Sequence, residues 1–351
     1  MKRKHATDLR AASKIAVEAT TRVTDIVQEM HGNIGGLPAR VFSAPVYASI
    51  RGIAKLVGLS LDVALDKLGP ALGESVPSAE REAVVAVLNG VVGDWLHDTK
   101  NPLAVITRLR HGGDARPRIV VLVHGSSMND RQWLRGEHDH GAALARDLDA
   151  TAVYVHYNSG RRVDDVGREL AALLDELVAE WPVPVESIAM VGHSMGGLVA
   201  RSACAHGGAW REKLDALVTL GTPHRGAPLE RIGHLVQTLG GLTKYSSPIA
   251  KLGNVRSAGV RDLRHGLGTP LPEGVACFAM AGGKDALVPR KSALADFPTT
   301  SVAEGVAHLE LLDAGVYPVI LAWLKAPREA SRRPSAARIA SPRRAPKKSR
   351  S

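Results

Sequence analysis

Five short apolar runs, PRIVVLVHG, TAVYVHY, SIAMVGHS, LDALVTLGT and GVACFAMAGG, are strung through residues 101–325 with helical patterns between them, such as VDDVGRELAALLDELVAEW. Runs that are apolar at consecutive positions have no solvent face, so each needs cover on both sides. Alternation with helices supplies that cover and predicts an α/β fold with a mostly parallel sheet. Ahead of the first run, PLAVITRLRHGGDARPRIVVLV reads as a strand, a Gly-Gly turn and the next strand, a hairpin that would add an antiparallel edge.

On either side of this region the pattern changes. Residues 1–100 read as a helical N-terminal region: Leu9, Ile15, Ala19, Val23, Ile26, Val27 and Met30 recur at helical steps, as do Ile50, Ile53, Val57, Leu61, Leu65 and Leu68. A third helix starts at a Ser78 cap and carries the stripe Val84, Val85, Leu88, Val91, Val92, Trp95. Residues 326–351 hold nine Lys or Arg against one Glu, so the tail carries all but about +2 of the formal net charge of +10. With almost no large apolar residue, the tail is expected to be disordered. It has no aromatic side chain to stack on bases, and specific nucleic-acid binding is not expected. Contact with an anionic membrane surface, through the tail or the N-terminal helices, is one expectation for these extensions. No signal peptide or membrane span is read, which points to a cytoplasmic chain, and Cys204 and Cys277 read as buried thiols.

Chemistry enters at Gly192-His193-Ser194-Met195-Gly196, where a strand pattern meets a helix pattern. The spacing fits G-x-S-x-G. Small residues flank the serine because the chain turns too sharply for larger ones, and the hydroxyl ends at a helix N-terminus that favours developing negative charge. A serine nucleophile needs a base, and in this fold the chain order is Ser, acid, His. Asp285 follows the strand GVACFAMAGG directly, and His308 precedes the last helical run. Asp262, Asp296 and Asp313 are competing acids, and His224 and His265 competing bases. The strand RIVVLV ends in His124-Gly125-Ser126, so the backbone N–H groups of Ser126 and Met195 are candidates for an oxyanion hole. His124 reads as a turn residue that orients this loop. No metal cluster or cofactor fingerprint accompanies these residues, and the chemistry requires no cofactor.

The segments LVHGSSMNDRQW, GHSMGGLVAR and LVTLGTPHRGAP together resemble the α/β-hydrolase superfamily, in particular its lipase-like branch with the glycosylphosphatidylinositol inositol-deacylase-type domain. The resemblance covers about 115–325. It implies a serine hydrolase acting on carboxylic esters, lipid-like or with hydrophobic acyl groups, through Ser194, His308 and Asp285, with His224 structural. It also implies that the insertion over 226–272 forms a cap, in which Ile232, Leu235, Val236 and Leu239 would face an acyl pocket. Acyl transfer by the same triad, and a lipid- or granule-surface interaction protein that retains the fold, are the alternatives. Oligomeric state is not readable.

Overall fold

The computed structural model describes residues 79–228 and 257–326 throughout, together with scattered positions before residue 79. The expected helices over 9–30 and 50–68, the insertion residues Ile232, Leu235, Val236 and Leu239, and the basic tail lie wholly or mostly outside the described residues.

Seven strands form one sheet: β1 (Arg108–His111), β2 (Arg118–Val123), β3 (Ala150–His156), β4 (Ser187–His193), β5 (Leu214–Leu220), β6 (Ala276–Gly282) and β7 (Thr299–Ala303). Their spatial order is β7-β6-β5-β4-β2-β3-β1. All neighbours are parallel except β1 and β3. In the interior strand β2, Ile119, Val121 and Val123 join one core layer, while Val120 and Leu122 join the other. Successive side chains of a strand point to opposite faces, so an unbroken apolar run fills two cores at once. Helices α3 (Val163–Glu180) and α4 (Met195–His206) cover the first face, and α2 (His140–Asp147) and α7 (Tyr317–Lys325) the second.

The antiparallel edge exists, but not as the expected hairpin. β1 pairs with β3, in the register Arg108↔His156, and not with β2. The reason lies in the side chains. Five of the six β2 residues are buried, which suits an interior place between β3 and β4. β1 exposes Arg108, Arg110 and His111, which only an edge tolerates.

The third N-terminal helix is present as α1 (Ala79–Asp98), kinked at Val92 between Gly90 and Gly93. It packs against the loops at the C-terminal edge of the sheet. Asn158 Nδ2 donates to Gly93 O at 2.8 Å, and Ser257 Oγ donates to Gly90 O at 2.8 Å. Asp94 accepts from Ala258 N, at the start of α5 (Ala258–His265), also at 2.8 Å. The kink leaves these carbonyls free to take partners from outside the helix.

Candidate active site

Ser194 follows the last residue of β4 and caps α4 with φ 52° and ψ −123°. A non-glycine residue held there costs of order 1–3 kcal/mol, and such strain persists only where the surroundings over-determine it. Here they do. Ser194 N donates to Leu220 O at 2.8 Å, tying the turn to β5. On the inner side α4 lies so close to β2 that a Cβ at Gly196 would run into the carbonyl oxygens of Val123 and His124. That is the steric demand read from the motif.

The acid and the base come from the neighbouring strand ends. Asp285 sits in the turn after β6, where its Oδ1 accepts from Leu287 N at 2.8 Å and Val288 N at 2.9 Å. Its Oδ2 lies 2.7 Å from His308 Nδ1, and both side chains are almost wholly buried. A carboxylate so placed fixes the tautomer: Nδ1 carries the proton and Nε2 is the free base. His308 rests against Gly221, whose Cβ would stand 3.1 Å from its ring, and Gly221 N donates to Met280 O at 2.8 Å. The ends of β4, β5 and β6 are thus laced together beneath Ser194 and His308. Ser194 Oγ and His308 Nε2 are both buried without any hydrogen-bond partner, each other included. Hydrogen bonds of this kind are often long before substrate binds.

The loop after β2 faces the serine. A Cβ at Gly125 would stand 3.2 Å from Ser194 Cβ. Ser126 is buried in this loop, and Met195 is the first residue of α4, so its N–H has no acceptor within the helix. Three contacts hold the loop. His124 stacks on Tyr157 with ring centroids 4.2 Å apart and donates from Nδ1 to Gly125 O at 2.8 Å, the orienting role expected for it. Ser127, at φ 57°, donates its N–H to Ser159 Oγ at 2.8 Å. The third contact is α1: a Cβ at Gly90 would collide with the Ser127 side chain and stand 2.9 Å from its Cα.

The competing residues are engaged elsewhere. Asp262 accepts from Val163 N at 2.9 Å, Asp296 pairs with Arg225 at 2.5 Å, and Asp313 pairs with Arg135 at 2.6 Å. His265 is exposed. His224 accepts at Nδ1 from Arg201 at 2.9 Å and reaches Thr219 Oγ1 from Nε2 at 3.1 Å. Burial, together with the Arg201 charge, lowers its pKa to about 3, so it is a neutral structural ring. Burial also raises the Cys204 thiol to about 12 and the Cys277 thiol to about 11, which leaves both unreactive near neutrality.

Three participants were missed in the sequence. The apolar stripe of α1 does not reveal Gly90 and Gly93; two glycines within one turn are the signal that a backbone approaches closely there. The G-x-S-x-G spacing assigns no part to His193, whose Nε2 lies 3.1 Å from His308 O. A cleft of about 780 Å³ opens between the Met128 end of the loop and the segment after His308. Its lining includes Met128, Leu134, Arg135, His138, Leu309 and Asp313, scattered positions that no spacing rule links. Among the described residues no cluster could hold a metal ion, and no helix is long and apolar enough to cross a membrane.

With this geometry in hand, comparison with known proteins places the fold. Residues 115–272 match the family model described as a PGAP1-like alpha/beta domain. Among solved structures, the propeptide form of the Bacillus licheniformis lipase BlEst2 aligns at 19% identity and TM-score 0.50, covering 65% of this chain and 56% of that one. Its mature form aligns at 20% identity and TM-score 0.47, covering 62% and 98%. A structure from work on carboxylesterases of Nitrososphaera gargenis aligns at 18% identity and TM-score 0.45, covering 63% and 94%. Comparison with curated proteins finds no match. The sheet order, the family match and the propeptide-form lipase agree on one point: the chain carries an α/β-hydrolase fold, the fold of lipases and esterases.

Proposed function

We propose that the protein is a serine hydrolase of carboxylic esters with hydrophobic acyl groups. One observation carries the reading. A histidine locked on a buried carboxylate through Nδ1 keeps a partnerless Nε2, and its ring lies against Gly221, next in chain to the Leu220 carbonyl that holds a strained serine with an equally partnerless hydroxyl. Ser194 Oγ attacks the ester carbonyl while His308 Nε2 takes its proton, and the imidazolium is stabilised by Asp285. The Ser126 and Met195 N–H groups receive the oxyanion, a contribution of about 3 kcal/mol per donor. His308 then protonates the leaving alcohol, and water clears the acyl-enzyme. Met128, Leu134 and Leu309 give the adjoining cleft its apolar lining, which supports a hydrophobic acyl chain.

The test is direct. A fluorophosphonate probe should label wild type at Ser194, and Ser194→Ala should lose both labelling and turnover of p-nitrophenyl esters. A series of esters of graded acyl length should show kcat/KM rising from acetate with chain length. A wild-type chain that neither labels nor turns over any ester would refute the reading.

A further inference from the structure

His193 carries an unused lone pair next to the reacting groups. Its Nε2 lies 3.1 Å from His308 O. A carbonyl can only accept, so Nε2 bears the hydrogen and Nδ1 is bare. That Nδ1 is buried and has no hydrogen-bond partner. It borders Gly125: a Cβ there would stand 3.1 Å from His193 Nδ1 and 3.2 Å from Ser194 Cβ. The His193 and His308 rings are 4.9 Å apart between centroids. An unpaired buried acceptor is a liability that folds seldom keep without use.

Ester hydrolysis brings few donors to this spot. The ester and its oxyanion have none, a leaving alcohol has one hydrogen, and the water that clears the acyl-enzyme has two. We propose that His193 Nδ1 accepts the second hydrogen of that water while the first points at His308 Nε2, and so steers the acyl-enzyme to hydrolysis over transfer to an alcohol. The inference rests on the serine-hydrolase reading above. In the step itself the water oxygen bonds to the acyl carbon and its proton passes to His308 Nε2. The bond from carbon to Ser194 Oγ then breaks, and His308 returns the proton to Ser194. His193 gains and loses no proton. Burial, reinforced by the nearby His308 charge, keeps its ring neutral, as an acceptor must be.

Two variants separate the acceptor from the grip on His308 O. In His193→Gln the terminal amide can still donate to His308 O, but the Nδ1 acceptor is lost. In His193→Asn an amide oxygen can occupy the Nδ1 position, but the reach to His308 O is lost. Each is compared with wild type on a p-nitrophenyl ester, by stopped flow and by analysis of acid and methyl ester formed in aqueous methanol. His193→Gln should show a burst of one p-nitrophenolate per enzyme and a kcat about tenfold lower, the scale of one hydrogen bond, with kcat/KM little changed. Its methanolysis-to-hydrolysis ratio should rise by a similar factor. His193→Asn should keep the wild-type product ratio even if it acylates slowly. Equal falls in kcat and kcat/KM with an unchanged product ratio in His193→Gln, or no change at all, would overturn the inference and leave the hydrolase reading standing. Wild type without ester turnover would remove both.

Discussion

Among the described residues are two buried His–Asp pairs of nearly the same length. His308 and Asp285 meet at 2.7 Å; His156 and Asp130 meet at 2.8 Å beside the edge strand. What differs is the rest of each pair. Asp285 gives its second oxygen to two backbone N–H groups, and His308 keeps a free nitrogen beside Ser194. Asp130 gives its second oxygen to Arg110 Nε at 2.5 Å, an ion pair that Asp285 lacks among the described residues. Burial pushes the Asp130 carboxyl up, but the hydrogen bonds from His156 and Arg110 outweigh it and hold it well below the usual carboxylate range. In the proposed mechanism the first pair is the one that takes a proton. The other is a clamp between β1, β3 and the turn at Asp130–Trp133. A His–Asp contact is therefore not itself the mark of a catalytic base; the surroundings of the second nitrogen are.

Exchanging the damage between the pairs gives the largest expected contrast. His308→Ala should lower ester turnover per folded molecule by about 10⁴-fold or more, and Asp285→Asn by about 10⁴-fold. His156→Ala should leave turnover per folded molecule within about twofold, yet cost about 3 kcal/mol of stability in denaturant titration, the range for breaking a buried pair. Equal activity losses in His156→Ala and His308→Ala would break the distinction.

Burial lowers His124 and His224 to about 3 and His140 to about 4, against an ordinary value of 6.5. Below pH 6.5 the unfolded chain takes up protons on these rings and the folded chain does not. Stability is thus complete above pH 6.5 and is lost as pH falls towards 4, by up to about 1.4 kcal/mol per ring per pH unit. Calorimetric melting of wild type between pH 7 and 4.5 should follow this slope. A flat profile would contradict it.

The smallest effect is the most informative about the loop that serves only the first pair. Gly90→Ala should gain up to about 1 kcal/mol from helix propensity alone. Its Cβ would instead press on Ser127 and shift the neighbouring Ser126 amide, so turnover should fall by about 10-fold without added stability. A stabilised variant with full activity would show that α1 does not set the loop.

How much of this was legible follows from locality. G-x-S-x-G encodes a turn whose demands are met by its own neighbours in sequence, so the strained turn at Ser194 was legible there. The contact of Asp285 with His308 was legible because each lies just past a strand or before a helix in a fold whose chain order is fixed. The Asp130–His156 pair left no local trace: its members are 26 residues apart and meet through the β1–β3 pairing. The same pairing defeated the hairpin reading, since Gly112-Gly113 announces a turn but not which strand lies beyond it. The role of Gly90 depends on a contact with residue 127 that no periodicity in α1 contains.

The seat of α1 against Ser127 also bears on how the molecule can be divided. The family match, 115–272, encloses the hydroxyl at Ser194 but stops short of Asp285 and His308 at one boundary and of α1 at the other. A fragment trimmed to those limits would keep Ser194 but lose Asp285, His308 and the helix packed on the loop after β2. On the proposed mechanism, an excised piece that still turns over esters should begin no later than Ala79.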